Sequence, residues 1–165
     1  MGDSSILNLH YDVIAKDFSR AGEASSALKK VLRKLGVAPE IIRKVSIPMY
    51  EAEINMVIHA NGGYIDVEIT PDRIYVKLVD NGPGIADLEL AMQEGYSTAT
   101  DRVRELGFGA GMGLPNIKKY SDDMKITTQV GKGTTVEIFV NIPAWGGGLL
   151  WMIWTISKMN LIFIL

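Results

Sequence analysis

Residues 80–123 read DNGPGIADLELAMQEGYSTATDRVRELGFGAGMGLPNIKKYSDD, two glycine clusters separated by an irregular segment. The first cluster, Asp80-Asn81-Gly82-Pro83-Gly84, follows an alternating apolar run with a carboxylate and then two glycines, which let a backbone pass close to a ligand. Taken alone it is also an ordinary turn, because Asp and Asn bond their own backbone in turns. The second cluster, Gly107-Phe108-Gly109-Ala110-Gly111-Met112-Gly113, places glycine at every second position directly before Leu114–Tyr120. Pro115 suits the first turn of a helix there. Exposed amides and the positive end of such a helix would cradle phosphates, whereas the same run alone also reads as a hinge. It has neither the GxGxxG spacing of a dinucleotide fingerprint nor the GK[ST] of a Walker A loop. Between the clusters, glycines 82, 84, 95, 107, 109 and 111 mark a mobile loop that holds one helical segment, Asp87–Glu94.

Outward from this core, Tyr64–Ile69 and Ile74–Asp80 are β-branched and alternating, and Thr70-Pro71-Asp72-Arg73 joins them as a hairpin turn. Downstream, Lys125–Val130 and Thr134–Ile142 read as two further strands turned by Gly131-Lys132-Gly133. Leu7–Ile14 alternates loosely as a first strand. Ala24, Ala27, Leu28, Val31, Leu32 and Leu35 recur at helical spacing, with Gly36 as the stop. Pro39–Ala60 is helical in composition, with Pro48 predicted to break or kink it into two pieces. The order of strand, helices, two strands, loop, helix and two strands predicts an α/β (α+β) two-layer sandwich: a mostly antiparallel mixed sheet with helices on one face. No repeat or low-complexity tract interrupts residues 7–143, so residues 1–143 are taken as one domain.

Composition narrows the chemistry. The chain has 165 residues, with 17 Lys and Arg against 19 Asp and Glu, a net charge of −2. That balance supplies no basic field for nucleic acid. Without cysteine there is no disulfide framework or thiolate metal site, and the histidines are two, His10 and His59. The N-terminus lacks a basic segment followed by an apolar run, so the expected location is cytoplasmic. Residues 144–165 differ in kind: they hold all three tryptophans, and their one charge is Lys158. LLWMIWTISKMNLIFIL, residues 149–165, would be about 25 Å long as a helix, against about 30 Å for a bilayer core. It reads first as an unselected read-through scar, second as a membrane anchor and third as a segment packed on the body or a partner. Lys158 and Asn160 deep in the run, with no flanking basic cluster, count against the anchor.

Glu51, Asn55 and His59 are spaced by four and fall on one stripe of a helix otherwise rich in apolar residues. A carboxylate beside a carboxamide can hold a base near a hard cation, and the same stripe can be a solvated face. Gly133-Thr134-Thr135 by itself is ordinary strand composition.

In sequence order, the helix with Glu51 and Asn55, DNGPG at 80–84, GFGAGMG at 107–113 and GTT at 133–135 make the chain resemble the Bergerat-fold (GHKL) ATP-binding superfamily. That group includes gyrase, heat-shock chaperones, histidine kinases and mismatch-repair ATPases. Within it the chain is most similar to the bacterial anti-sigma regulatory serine/threonine kinases, particularly their switch-kinase branch. The resemblance covers residues 7–143. It implies that Asn55 is the Mg²⁺ ligand and Glu51 the general base for the attacking hydroxyl. Asp80 would accept from the adenine amino group, with Gly82 and Gly84 shaping that pocket. Gly109, Gly111 and Gly113 would contact the phosphates of ATP, and Thr134 would support the base, through water or directly. His59 would either approach the phosphates or serve as a core or capping residue. The implied activity is transfer of the ATP γ-phosphate to a Ser or Thr of a small STAS-type regulatory protein, with a sigma factor as a further partner and homodimerisation suggested. Two alternatives stand beside it: a non-catalytic ATP-dependent module that sequesters its partner, and a histidine-kinase-like domain acting in trans. Thr98–Leu106 is longer and more charged than this pattern leads one to expect, which bears on lid closure and partner choice.

Overall fold

A computed structural model describes residues 7–144 and Gly148. The tail from 149 to 165, with its anchor, packing and scar readings, lies outside the described residues. Five strands form one sheet: β1 (Leu7–Val13), β2 (Gly63–Ile69), β3 (Arg73–Asp80), β4 (Asp123–Gln129) and β5 (Gly133–Asn141), in the order β1-β2-β3-β5-β4. All four pairings are antiparallel, so the parallel component expected of a mixed sheet is absent among the described residues. Ile65, Val67 and Ile69 of β2, Ile74, Val76 and Leu78 of β3, and Val136, Ile138 and Val140 of β5 are buried at alternate positions. This period of two turns one sheet face inward, and the intervening residues are partly exposed.

The inner face is covered by α1 (Glu23–Lys34), α2 (Pro39–His59) and α5 (Gly113–Tyr120), with α2 packed against both α1 and α5 and against β3 and β5. Leu28 and Leu32 of α1, Val45 and Met49 of α2 and Ile117 of α5 are completely buried. Two short helices, α3 (Leu88–Ala91) and α4 (Asp101–Glu105), lie in the segment between β3 and α5. The Asp87 side chain accepts from the Leu90 amide at 2.9 Å and caps α3, which ends earlier than the Asp87–Glu94 segment expected.

The expected break at Pro48 does not occur. α2 is continuous over 21 residues, with Pro48 itself buried. Proline removes one helix hydrogen bond and crowds the preceding turn. Buried residues on both sides of it, Val45 and Met49 among them, hold the two halves in line by packing that local propensity cannot anticipate. Among the described residues no helix is long and apolar enough to cross a membrane.

Candidate functional site

A cavity of about 590 Å³ opens between α2, the end of β3, the turn at residues 83–87, the segment at 96–98 and 107–112, and the start of α5. Its volume lies within the range of small-molecule and cofactor sites. Glu51, Asn55, Asp80, Gly84, Gly109, Gly111, Gly113 and Thr134 all line it, and of the expected residues Gly82 alone stands behind the wall.

The four-residue spacing of Glu51, Asn55 and His59 aims all three from α2 into this space. The Asn55 carboxamide has no hydrogen-bond partner among the described residues. A Cβ built on Gly113 would lie 3.2 Å from Asn55 Nδ2 and 3.3 Å from its Oδ1, so glycine at the head of α5 lets the carboxamide sit flush against that helix. Glu51 Oε1 accepts from Asn116 Nδ2 of α5 at 2.7 Å. His59 is desolvated by the surrounding chain and lies near the Lys16 ammonium; both hold its pKa below the usual histidine range, against a smaller opposing pull from Asp80. The Lys16 amine donates to the Ile58 carbonyl and its amide to Val57 O at 3.0 Å, placing a cation at the C-terminal end of α2.

Asp80 closes β3 with a bonded carboxyl group. Its Oδ1 accepts from the Gly82 amide at 2.7 Å and from the Thr134 amide at 3.1 Å, which leaves Oδ2 without either of these donors. Gly82 is required by close packing: a Cβ there would come within 2.8 Å of Ala60 Cα and 2.9 Å of Asp80 Oδ1. Thr134 belongs to this end of the cavity. Its hydroxyl lies 3.0 Å from that of Thr128, whose Oγ1 also accepts from the Ile85 amide at 2.8 Å. The side chain bonded to Glu51 is therefore Asn116, not Thr134.

The segment between β3 and α5 that lines the cavity is tied at its two ends and to the residues after β1. The Gly95 amide donates to Gly111 O at 2.9 Å, and the Phe108 ring stacks on Phe18 at 6.0 Å between centroids. No lysine or arginine lines the cavity among the described residues, whereas Glu51, Asp80 and Asp87 do. A polyanionic ligand here must be neutralised by backbone amides, by the N-terminal end of α5, or by a cation it brings with it. An unpartnered carboxamide in a wall without lysine or arginine fits Mg²⁺, which takes few protein ligands beside substrate phosphates.

Sequence reasoning missed Asn116, Thr128 and Glu53. Glu53 carried one signal, a carboxyl between the apolar Ala52 and Ile54, but the other two look like ordinary helix and strand residues until the fold pairs them.

Comparison with known proteins bears on the family and the fold. Residues 14–139 match the family described as the histidine kinase-like ATPase domain. The serine/threonine-protein kinase RsbT of Bacillus subtilis is 26% identical over 143 residues, 83% of this chain and 96% of that protein. The anti-sigma F factor of Caldanaerobacter subterraneus is 31% identical over 104 residues, 60% of this chain and 69% of that protein. A solved Mycobacterium tuberculosis structure of RsbU and RsbW domains superimposes with a TM-score of 0.56 at 15% identity. It covers 84% of this chain, which spans about a third (34%) of that one, and it speaks to the fold alone. With the match running from the end of β1 to the last core strand, the chain belongs to the histidine kinase-like ATPase domain family.

Proposed function

We propose that this chain is an ATP-dependent serine/threonine protein kinase of a bacterial partner-switching system, acting on a small STAS-type regulatory protein, with a sigma factor as a second partner. The observation that carries the reading is the pairing of Glu51 and Asn55 on one stripe of α2, facing a cavity that the glycine run before α5 also lines. The two similar proteins, named as a serine/threonine kinase and an anti-sigma factor, support a Ser or Thr hydroxyl as the acceptor and a sigma factor as a partner.

Asp80 Oδ2 accepts from the adenine amino group while the Gly82 and Thr134 amides hold Oδ1 in place. Gly84 leaves the turn close to the base. Amides of Gly109, Gly111 and Gly113 and the N-terminal end of α5 receive the phosphates. Asn55 ligates Mg²⁺, which when bound offsets phosphate charge that the lining side chains cannot. Glu51 takes the proton from the incoming Ser or Thr hydroxyl as its oxygen bonds to the γ-phosphorus, and the bond to the leaving β-phosphate oxygen breaks to release ADP. Positioning supplies most of the rate in such transfers, so a base held in one geometry is a central requirement.

The test is incubation of the full chain and a partner protein with Mg·ATP, followed by mass measurement of the partner. The expected result is a single added phosphate that is stable to acid, formed at least about 100-fold more slowly by Glu51→Gln. An unchanged partner mass would favour sequestration, and an acid-labile product would indicate transfer to histidine.

A further inference from the structure

Glu51 and Asn116 are 65 residues apart in the chain and meet across the interface of α2 and α5, Asn116 Nδ2 donating to Glu51 Oε1 at 2.7 Å. Asn116 is part-buried and does not line the cavity, so it stands behind the base as seen from the ligand. Its own place is well determined. The Asn116 amide donates to Met112 O at 2.9 Å, and the flanking Leu114 and Ile117 are buried in the core. Glu51 lies on α2 just beyond Met49, which is also completely buried. Two rigid helices thus present one donor and one acceptor to each other. Asn116 is the single hydrogen-bond partner of Glu51 among the described residues, so it alone restrains a flexible side chain that would otherwise sample several rotamers.

We propose that Asn116 is a positioning residue for phosphotransfer: its carboxamide holds one Glu51 oxygen so that the other faces the incoming hydroxyl. The choice of a neutral amide has a chemical reason. A lysine or arginine at this position would stabilise the ionised carboxylate and weaken it as a base, whereas a carboxamide orients it without adding a charge. The proposal rests on Glu51 as general base, and it makes the docking of α5 against α2 a condition of catalysis as well as of folding. Because the glycine run leads directly into α5, a segment that lines the cavity and the group that aims the base are parts of one continuous stretch.

The experiment uses the full chain with a partner protein, comparing wild type, Asn116→Ala, Glu51→Gln and the double variant. The expected result is a kcat about tenfold or more lower in Asn116→Ala, with ATP affinity by calorimetry within about twofold of wild type. In the Glu51→Gln background the same substitution should change the residual rate less than about twofold, since Asn116 acts through Glu51. As an independent signature, the Asn116 side-chain amide resonance should move in Glu51→Ala, because it loses its acceptor. A wild-type kcat in Asn116→Ala, equal losses in both backgrounds, or an unmoved amide resonance overturns the proposal and leaves Glu51 as base. A fully active Glu51→Gln overturns both readings, so the two failures are told apart.

Discussion

Asn55 is a polar side chain with no protein partner among the described residues, set against a glycine that makes room for it. Groups of this kind contribute little to stability and are available to a ligand. Asn55→Ala is therefore expected to weaken Mg·ATP binding about 100-fold, roughly 2.7 kcal/mol, while shifting stability by less than about 1 kcal/mol. Calorimetric titration beside urea unfolding separates the two. A loss of both together would show that Asn55 is structural. The positions of Glu51, Asn55 and His59 were legible as a four-residue spacing, because a helix turns that spacing directly into one stripe. Asn116 was not legible, since its partner lies 65 residues away and nothing in LPNIKK distinguishes a donor to Glu51 from a solvated asparagine. Thr134 was expected beside the base and lines the cavity at its other end: register places its amide on Asp80 and its hydroxyl by Thr128.

At the scale of elements, α1 has no side-chain cap of its own, since the residue before it is Gly22 at φ 86°. The Glu23 amide donates to Arg20 O at 3.0 Å, and the next two amides are satisfied from another helix. Glu53 of α2, only 2% exposed, accepts from the Ala24 amide at 3.1 Å and from the Ser25 amide at 3.0 Å. A carboxyl at the positive end of a helix is also favoured by the helix dipole. Glu53→Ala would leave two buried amides unpaired and is expected to cost about 2–4 kcal/mol, read as a lower urea midpoint. Glu53→Gln, which keeps one acceptor oxygen, should lose less. Equal stability of wild type and Glu53→Ala would show that water replaces the cap. This device explains why the amphipathic pattern of α1 could be read from spacing while its N-terminal anchor could not. The same limit applies at Pro48, where a local rule predicts a break and tertiary packing on both sides overrides it.

On the scale of the whole molecule, the outer face of the sheet carries the polar half of each alternating strand. Cross-strand register places His10 of β1 opposite Asp66 of β2, with Nδ1 2.6 Å from the carboxylate and the Tyr64 ring stacked nearby. The Asp66 hydrogen bond, reinforced by the charges of Asp66 and Asp12, raises the His10 pKa above the usual 6.5. Protonated His10 is thus favoured by the fold. Its stabilising effect is complete below about pH 6.5 and is lost as pH rises through the higher folded value. His59, whose pKa is lowered, acts on the other side: acid below about pH 6.5 weakens the fold through it. His10→Gln should therefore flatten the fall in urea midpoint on going from pH 6 to pH 8.5, leaving the acid limb to His59. A slope unchanged by the substitution would remove His10 from that account. What residue order alone determined was the set of strands, the amphipathic helices and the two glycine clusters, because periods of 2 and 3.6 and the freedom of glycine are local properties of a chain. What only the tertiary structure decided was which groups meet: Asn116 on Glu51, Glu53 on the end of α1, Thr134 on Asp80. Those contacts join residues far apart in sequence, and close packing about one core selects them.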